Sequence, residues 1–187
     1  MKKKSVKKVA KSTAAAPNPK KLLIEMIRAA HLCGSIIRVH HEKRNLKVSE
    51  KSGAGLVTNA DLESERACVK ELRKLRPDFA FLTEEGTTLD GKTPTDGPRP
   101  RGRWIIDPLD GTTNYLHGYP QYAISIALVH RGQITQAVVY DPNRNDLFTA
   151  SKGSGAFLND RRIRAARRIQ LAEALLVTGF PYSNLQH

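Results

Sequence analysis

Two carboxylates three residues apart, Asp107 and Asp110, follow the apolar run Trp104-Ile105-Ile106, and Gly111-Thr112-Thr113-Asn114 comes directly after them. Pro108 lies between the two and has no N–H to offer a sheet ladder, so the run is expected to end there in a rigid turn. Such a turn lets two hard oxygen ligands converge. Mg²⁺ takes that donor type at ~2.0–2.1 Å, together with water and substrate phosphate. Gly111 lets the backbone approach a ligand closely, and the N–H groups opening a following helix would face a phosphate. A second acidic pair, Glu84-Glu85, follows another apolar run, Phe79 to Thr83. Taken singly, each pair reads as readily as a solvated turn or an acidic loop tip. If the two strand ends meet at one sheet edge, Glu84, Asp107 and Asp110 share a small volume and repel without a cation. Two metal ions ~3.5–4 Å apart in such a site can generate hydroxide, polarise a phosphoryl group and stabilise a leaving oxygen.

The elements that must position these groups are legible in outline. Asn18 is a good N-cap and Pro19 suits the first helical position. From Pro19 to about Lys43, Leu23, Ile27, Ala30, Gly34 and Ile37 recur at steps of three and four, the apolar face of a long helix. His31, His40 and His41 within it are given no role. Asn45 to Gly55 is polar and reads as a loop or frayed strand, with Lys51 just before the turn at Gly53 and Gly55. A second helix is expected from about Leu62 to Arg76, with Asp61 near its positive end and Pro77 after it. Phe79 to Thr83 reads as a short buried strand, and Thr87 to Arg103 as a surface loop. Hairpins follow through Tyr122–Val129, Gln133–Tyr140, Asp146–Ala150 and Ala156–Leu158, and Ala174 to Thr178 reads as a last strand. The expected class is α+β, with N-terminal helices packed on a largely antiparallel sheet.

Composition narrows the rest. The chain has 187 residues, 40% hydrophobic and 26% charged, enough for one domain with a real core. No run approaches the ~20 apolar residues of a membrane span. Cys33 and Cys68 lack C-x-x-C spacing and read as reduced, buried thiols of a cytoplasmic protein. Residues 1–21 hold eight lysines and no acid, so they carry most of the formal charge of +13. Residues 1–18 read as a basic disordered tail, too poor in apolar groups to offset ordering entropy. Arg161, Arg162, Arg164, Arg167 and Arg168 form a second basic cluster. Such blocks bind RNA phosphates or an acidic partner, or are simply solvated.

The string W-I-I-D-P-L-D-G-T-T-N-Y-L-H-G-Y-P, from Trp104 to Pro120, resembles the first signature of the inositol monophosphatase family of Mg²⁺-dependent phosphomonoesterases. Val57, Thr58, Asp61 and Glu65 match its V-T-x-x-D-x-x-x-E pattern, and Thr83-Glu84-Glu85 its G-E-E, with threonine in place of glycine. The resemblance implies a layered sugar-phosphatase-type fold and hydrolysis of inositol 1-phosphate or a related polyol or sugar phosphate. It implies that Glu84, Asp107 and the Leu109 carbonyl hold one Mg²⁺ and that Asp107 and Asp110 share a second. Thr112, supported by Asp61 and with Glu84 nearby, would orient the attacking water, and the Gly111 and Thr112 N–H groups would bind phosphate. Lys51, Glu85 and Thr113 would lie beside the site. A homodimer is among the assemblies expected. The family's second motif, W-D-x-A-A-G, has no counterpart here, since Trp104 is the only tryptophan. Residues 19–187 are therefore expected to form the N-terminal portion of such a domain without its C-terminal α/β part. Alone, that portion is expected to be weakly active or inactive and to expose an apolar sheet face. A non-catalytic RNA or transcription-complex adaptor is the alternative from another class.

Overall fold

The structure is a computed structural model that describes residues 18–50, 55–86, 102–167 and 169–178. The lysine tail, Lys51, Arg168 and the loop 87–101 lie outside the described residues.

Helix α1 (Pro19–Lys43) starts where its caps require, with Asn18 accepting the Lys20 N–H at 3.0 Å. Its buried stripe is Leu22, Met26, Ala29, Ala30, Cys33, Gly34 and Ile37, with Leu23 and Ile27 only partly covered. The buried stripe is thus turned from the one expected, because α1 also packs on the second helix, where Cys33 Sγ meets the Ser64 carbonyl at 3.5 Å. Strands β1 (Val48–Glu50) and β2 (Leu56–Thr58) pair antiparallel, where a loop or frayed strand was expected. Helix α2 (Asn59–Leu75) begins earlier than its apolar periodicity predicts. Thr58 caps it in a full capping box: its hydroxyl accepts the Ala60 and Asp61 N–H groups, and the Asp61 carboxylate accepts the Thr58 N–H at 2.9 Å.

A seven-stranded sheet follows in chain order: β3 (Ala80–Thr83), β4 (Gly102–Asp110), β5 (Ala123–His130), β6 (Gln133–Asp141), β7 (Asp146–Ser151), β8 (Gly155–Leu158) and β9 (Arg161–Ile163). The β3–β4 pair is parallel and every other pair antiparallel, so the fold is α+β with a largely antiparallel sheet. A short helix α3 (Thr112–Leu116) follows β4. Helices α1 and α2 pack on each other and cover one sheet face through Trp104, Ile106, Ile124, Ile126, Leu128 and Val138. The other face carries Leu82, Ile105, Ala127, Ala137, Ala150, Ala156 and Ile163 in one register row. No described helix covers that row.

Three expectations are corrected. The strand at 80–83 is not buried: it is the sheet's edge, and Leu82 is 51% exposed. Residues 174–178 form no strand; a 3₁₀ turn (Leu171–Glu173) precedes them, and they lie exposed with no neighbouring strand among the described residues. Pro108 does not end its strand but sits within β4 at a register shift.

Gly34 sets the approach of α1 to the sheet. A Cβ there would lie 2.7 Å from Cε1 of Tyr140, whose hydroxyl is tied to Asn145 at 2.9 Å and whose ring packs on His31. Gly34→Val is therefore expected to destabilise the protein by about 1–3 kcal/mol, as overpacking does. A lower urea midpoint at unchanged m-value would register it.

Candidate active site

The β4 bulge solves the geometric problem posed by Asp107 and Asp110. On a regular strand, residues three apart point to opposite faces. Here Asp107 pairs with Ser125 and Asp110 with Ala123, so three steps on β4 match two on β5. One extra residue restores the parity and brings both carboxylates to one face. The Pro108 ring, with no N–H to lose, fits that irregularity. Asp107 accepts the Leu109 N–H at 3.1 Å, which fixes the turn from within.

Glu84 joins them because β3 runs parallel to β4. Thr83 is in register with Ile106, and the Glu84 N–H continues the ladder to the Ile106 carbonyl at 3.1 Å. The next residues on each strand, Glu84 and Asp107, therefore stand side by side, and their carboxyl groups share a hydrogen bond. Burial, that hydrogen bond and the charges of Glu84 and Asp110 push the Asp107 carboxyl up to about 8. Among the described residues, no three carboxylate, imidazole or thiol side chains by themselves form a ready ion cage. The donor set is Glu84, Asp107 and Asp110 with main-chain oxygen nearby, all hard oxygen. Its suppressed ionisation is what a divalent cation relieves, so the residues fit Mg²⁺.

The raised Asp107 carboxyl has a stability consequence. Between its ordinary value of 3.8 and about 8, the folded chain holds a proton that the unfolded chain releases. Stability from this group is full below the lower value and is lost as pH rises through the upper one. In chelator, the urea midpoint is expected to fall between about pH 5 and about pH 8.5, and that part of the fall is expected to vanish in Asp107→Asn.

Thr112 lies on the other side of the turn. Its hydroxyl is 3.0 Å from Asp61 Oδ1 and 3.1 Å from the Leu109 carbonyl, so its one proton has two acceptors. Asp61 is 1% exposed and its carboxyl is raised by burial, against the opposing bonds from Thr58 and Thr112. Thr58 also donates its hydroxyl to Asp61. Gly111 caps α3 at φ 94°, and a Cβ on it would meet the Gln121 carbonyl at 2.9 Å, so only glycine fits there.

These groups line an open cavity of about 360 Å³, to which Gly55 and Leu56 also contribute. The structure brings Glu84, Asp107, Leu109, Asp110, Gly111, Thr112 and Thr113 to its wall. Asp61 reaches it through Thr112. Glu85 is partly buried, and Lys51 is outside the described residues. The Leu109 carbonyl faces the Thr112 hydroxyl, a contact the sequence reading did not include. That reading also gave Glu65 no role beyond its motif position. It is fully buried, and its carboxylate accepts the Glu85 N–H at 2.8 Å. The signal was its spacing: four residues after Asp61, on the same helix face.

Comparison with known proteins follows the same lines. The model of the inositol monophosphatase family matches residues 18–187. An inositol-1-monophosphatase of Rhizobium meliloti is 48% identical over 162 residues, 86% of this chain and 59% of its own length. A Nus factor SuhB of Xylella fastidiosa is 46% identical, over 83% of this chain and 54% of its own. The crystal structure of the extragenic suppressor protein suhB from Bartonella henselae superposes with a TM-score of 0.71 at 43% identity, over 79% of this chain and 55% of that one. The chain thus spans less than two thirds of the length of these relatives.

Proposed function

The chain belongs to the inositol monophosphatase family, and we propose that it serves as a Mg²⁺-dependent phosphomonoesterase on inositol 1-phosphate or a related polyol or sugar phosphate. The observation that carries this reading is the pairing of two devices at one cavity. One is the Glu84–Asp107 carboxyl pair with Asp110 beside it, and the other is the Thr112 hydroxyl held by the buried Asp61. Glu84, Asp107, Asp110 and the Leu109 carbonyl would hold Mg²⁺. When bound, the metal supplies charge stabilisation for the phosphoryl oxygens and lowers the cost of ionising the attacking water. Thr112 orients that water, with Asp61 as acceptor for the hydroxyl proton and Glu84 close by. The N–H groups of Gly111 and Thr112 bind the phosphate, and the phosphoryl group passes to water directly. Phosphate release from inositol 1-phosphate, assayed with Mg²⁺ and with chelator, tests the reading. Release that persists in chelator would overturn it.

A second reading rests on a separate observation. Arg161, Arg162, Arg164 and Arg167 are all exposed, on the sheet's terminal strand and just beyond, and none makes an ion pair among the described residues. Some relatives carry the name Nus factor SuhB. An RNA or transcription-complex adaptor role would give RNA retention that fades as salt rises and survives the loss of Asp107.

A further inference from the structure

Helix α2 touches the site twice. Asp61, in its first turn, holds Thr112. One turn on, the Glu65 carboxylate is fully buried and accepts the Glu85 main-chain N–H at 2.8 Å. The preceding amide, that of Glu84, is tied to the Ile106 carbonyl of β4 at 3.1 Å. Two consecutive amides are therefore clamped, one to the sheet and one to the helix, with the Glu84 side chain between them. Gly86 follows at φ 67°.

A buried carboxylate is poor value for stability alone, because its desolvation is costly and an apolar residue of similar size does as well or better. Around Glu65 the same helix buries Cys68, Val69 and Leu72, so an apolar side chain would suit the position. What Glu65 offers and an apolar side chain cannot is a hydrogen-bond acceptor for the Glu85 amide. We propose that Glu65 is a positioning residue for divalent-cation binding, holding the 84–85 turn so that the Glu84 carboxylate stands beside Asp107. This inference rests on the reading of Glu84 and Asp107 as metal ligands. It gives α2 both halves of the site: Asp61 places the hydroxyl and Glu65 places the carboxylate.

The test is Mn²⁺ binding, measured by calorimetry on the full chain and needing no turnover. Glu65→Ala is expected to weaken affinity about 10–100-fold, the usual cost of losing a group that orients a metal ligand. Glu65→Gln keeps a carbonyl oxygen as acceptor and is expected to recover most of the affinity. A folded Glu65→Ala protein with native affinity would overturn the proposal. So would a Glu65→Gln protein as weak as Glu65→Ala, since charge rather than the hydrogen bond would then be at work. Should Glu65→Ala fail to fold, amide exchange decides: the Glu85 N–H is expected to exchange slowly in the native chain and in Glu65→Gln, and fast exchange in the native chain overturns the clamp. A native chain that binds no Mn²⁺ removes the metal reading and this inference with it, an outcome distinct from native binding unaffected by Glu65→Ala.

Discussion

Asp107→Asn is expected to lower Mg²⁺-dependent phosphate release by roughly 10²–10⁴-fold while making the metal-free protein more stable at alkaline pH. The two effects share one cause. Asp107 stands between Glu84, with which it shares a hydrogen bond, and Asp110, and its carboxyl is raised to about 8 by burial and by both neighbours. A cation turns that crowding to use, because a hard divalent ion takes several carboxylate oxygens at once. Asparagine keeps the shape and an oxygen but removes the charge, so the proposed cation site loses a carboxylate and the apo site loses its repulsion. Activity should fall in a phosphate-release assay and the urea midpoint at about pH 8.5 should rise in the same preparation. A variant that lost both activity and stability would mean that Asp107 acts through folding instead.

Thr112→Val is the second large effect. Valine preserves volume and branching, but the hydroxyl that bonds Asp61 at 3.0 Å and Leu109 at 3.1 Å is gone. Turnover is expected to fall about 10²–10³-fold, within the range for a positioned proton-handling group. KM should change little, because the main-chain N–H groups proposed to hold phosphate are left in place by the substitution. Stability should fall by about 1–3 kcal/mol, since buried Asp61 loses one of its partners. Thr112→Ser restores the hydroxyl and should recover most of the turnover. Equal losses in the serine and valine variants would point to packing of the methyl group instead.

How much of this was open to reading from the sequence depends on the range of the forces involved. The span of α1 was legible because its start is set by Asn18 and Pro19, within a few residues of one another. The hairpins from β5 to β8 were legible for the same reason: each is a local pairing closed by a short turn. The site residues carried a local signal too, in the string from Trp104 to Pro120. What stayed hidden was set by partners far along the chain. The exposure of Leu82 follows from its place on the sheet face that no described helix covers and from β3 having no outer neighbour among the described residues. The strand expected at 174–178 has no partner among the described residues, although its own residues favour a strand. The role of Pro108 depends on the register of β5, which places an irregularity where a strand end was expected. Glu65 matched the family pattern, but its partner, the Glu85 amide, lies twenty residues on and left no local signal.

The parallel pairing of β3 with β4 bears on the order in which the molecule assembles. The strands from β5 to β9 are joined by turns of a few residues, so each pairs by closing a small loop. β3 must instead wait for β4 to arrive across the intervening residues 84–101, and closing a longer loop carries the greater entropy. The meander is therefore expected to condense first and β3 to dock late, bringing Glu84 with it. The same asymmetry operates in the native state, where a four-residue edge strand costs less to release than the long central strands β4, β5 and β6. A brief opening of β3 would withdraw one carboxylate and leave the rest of the sheet closed.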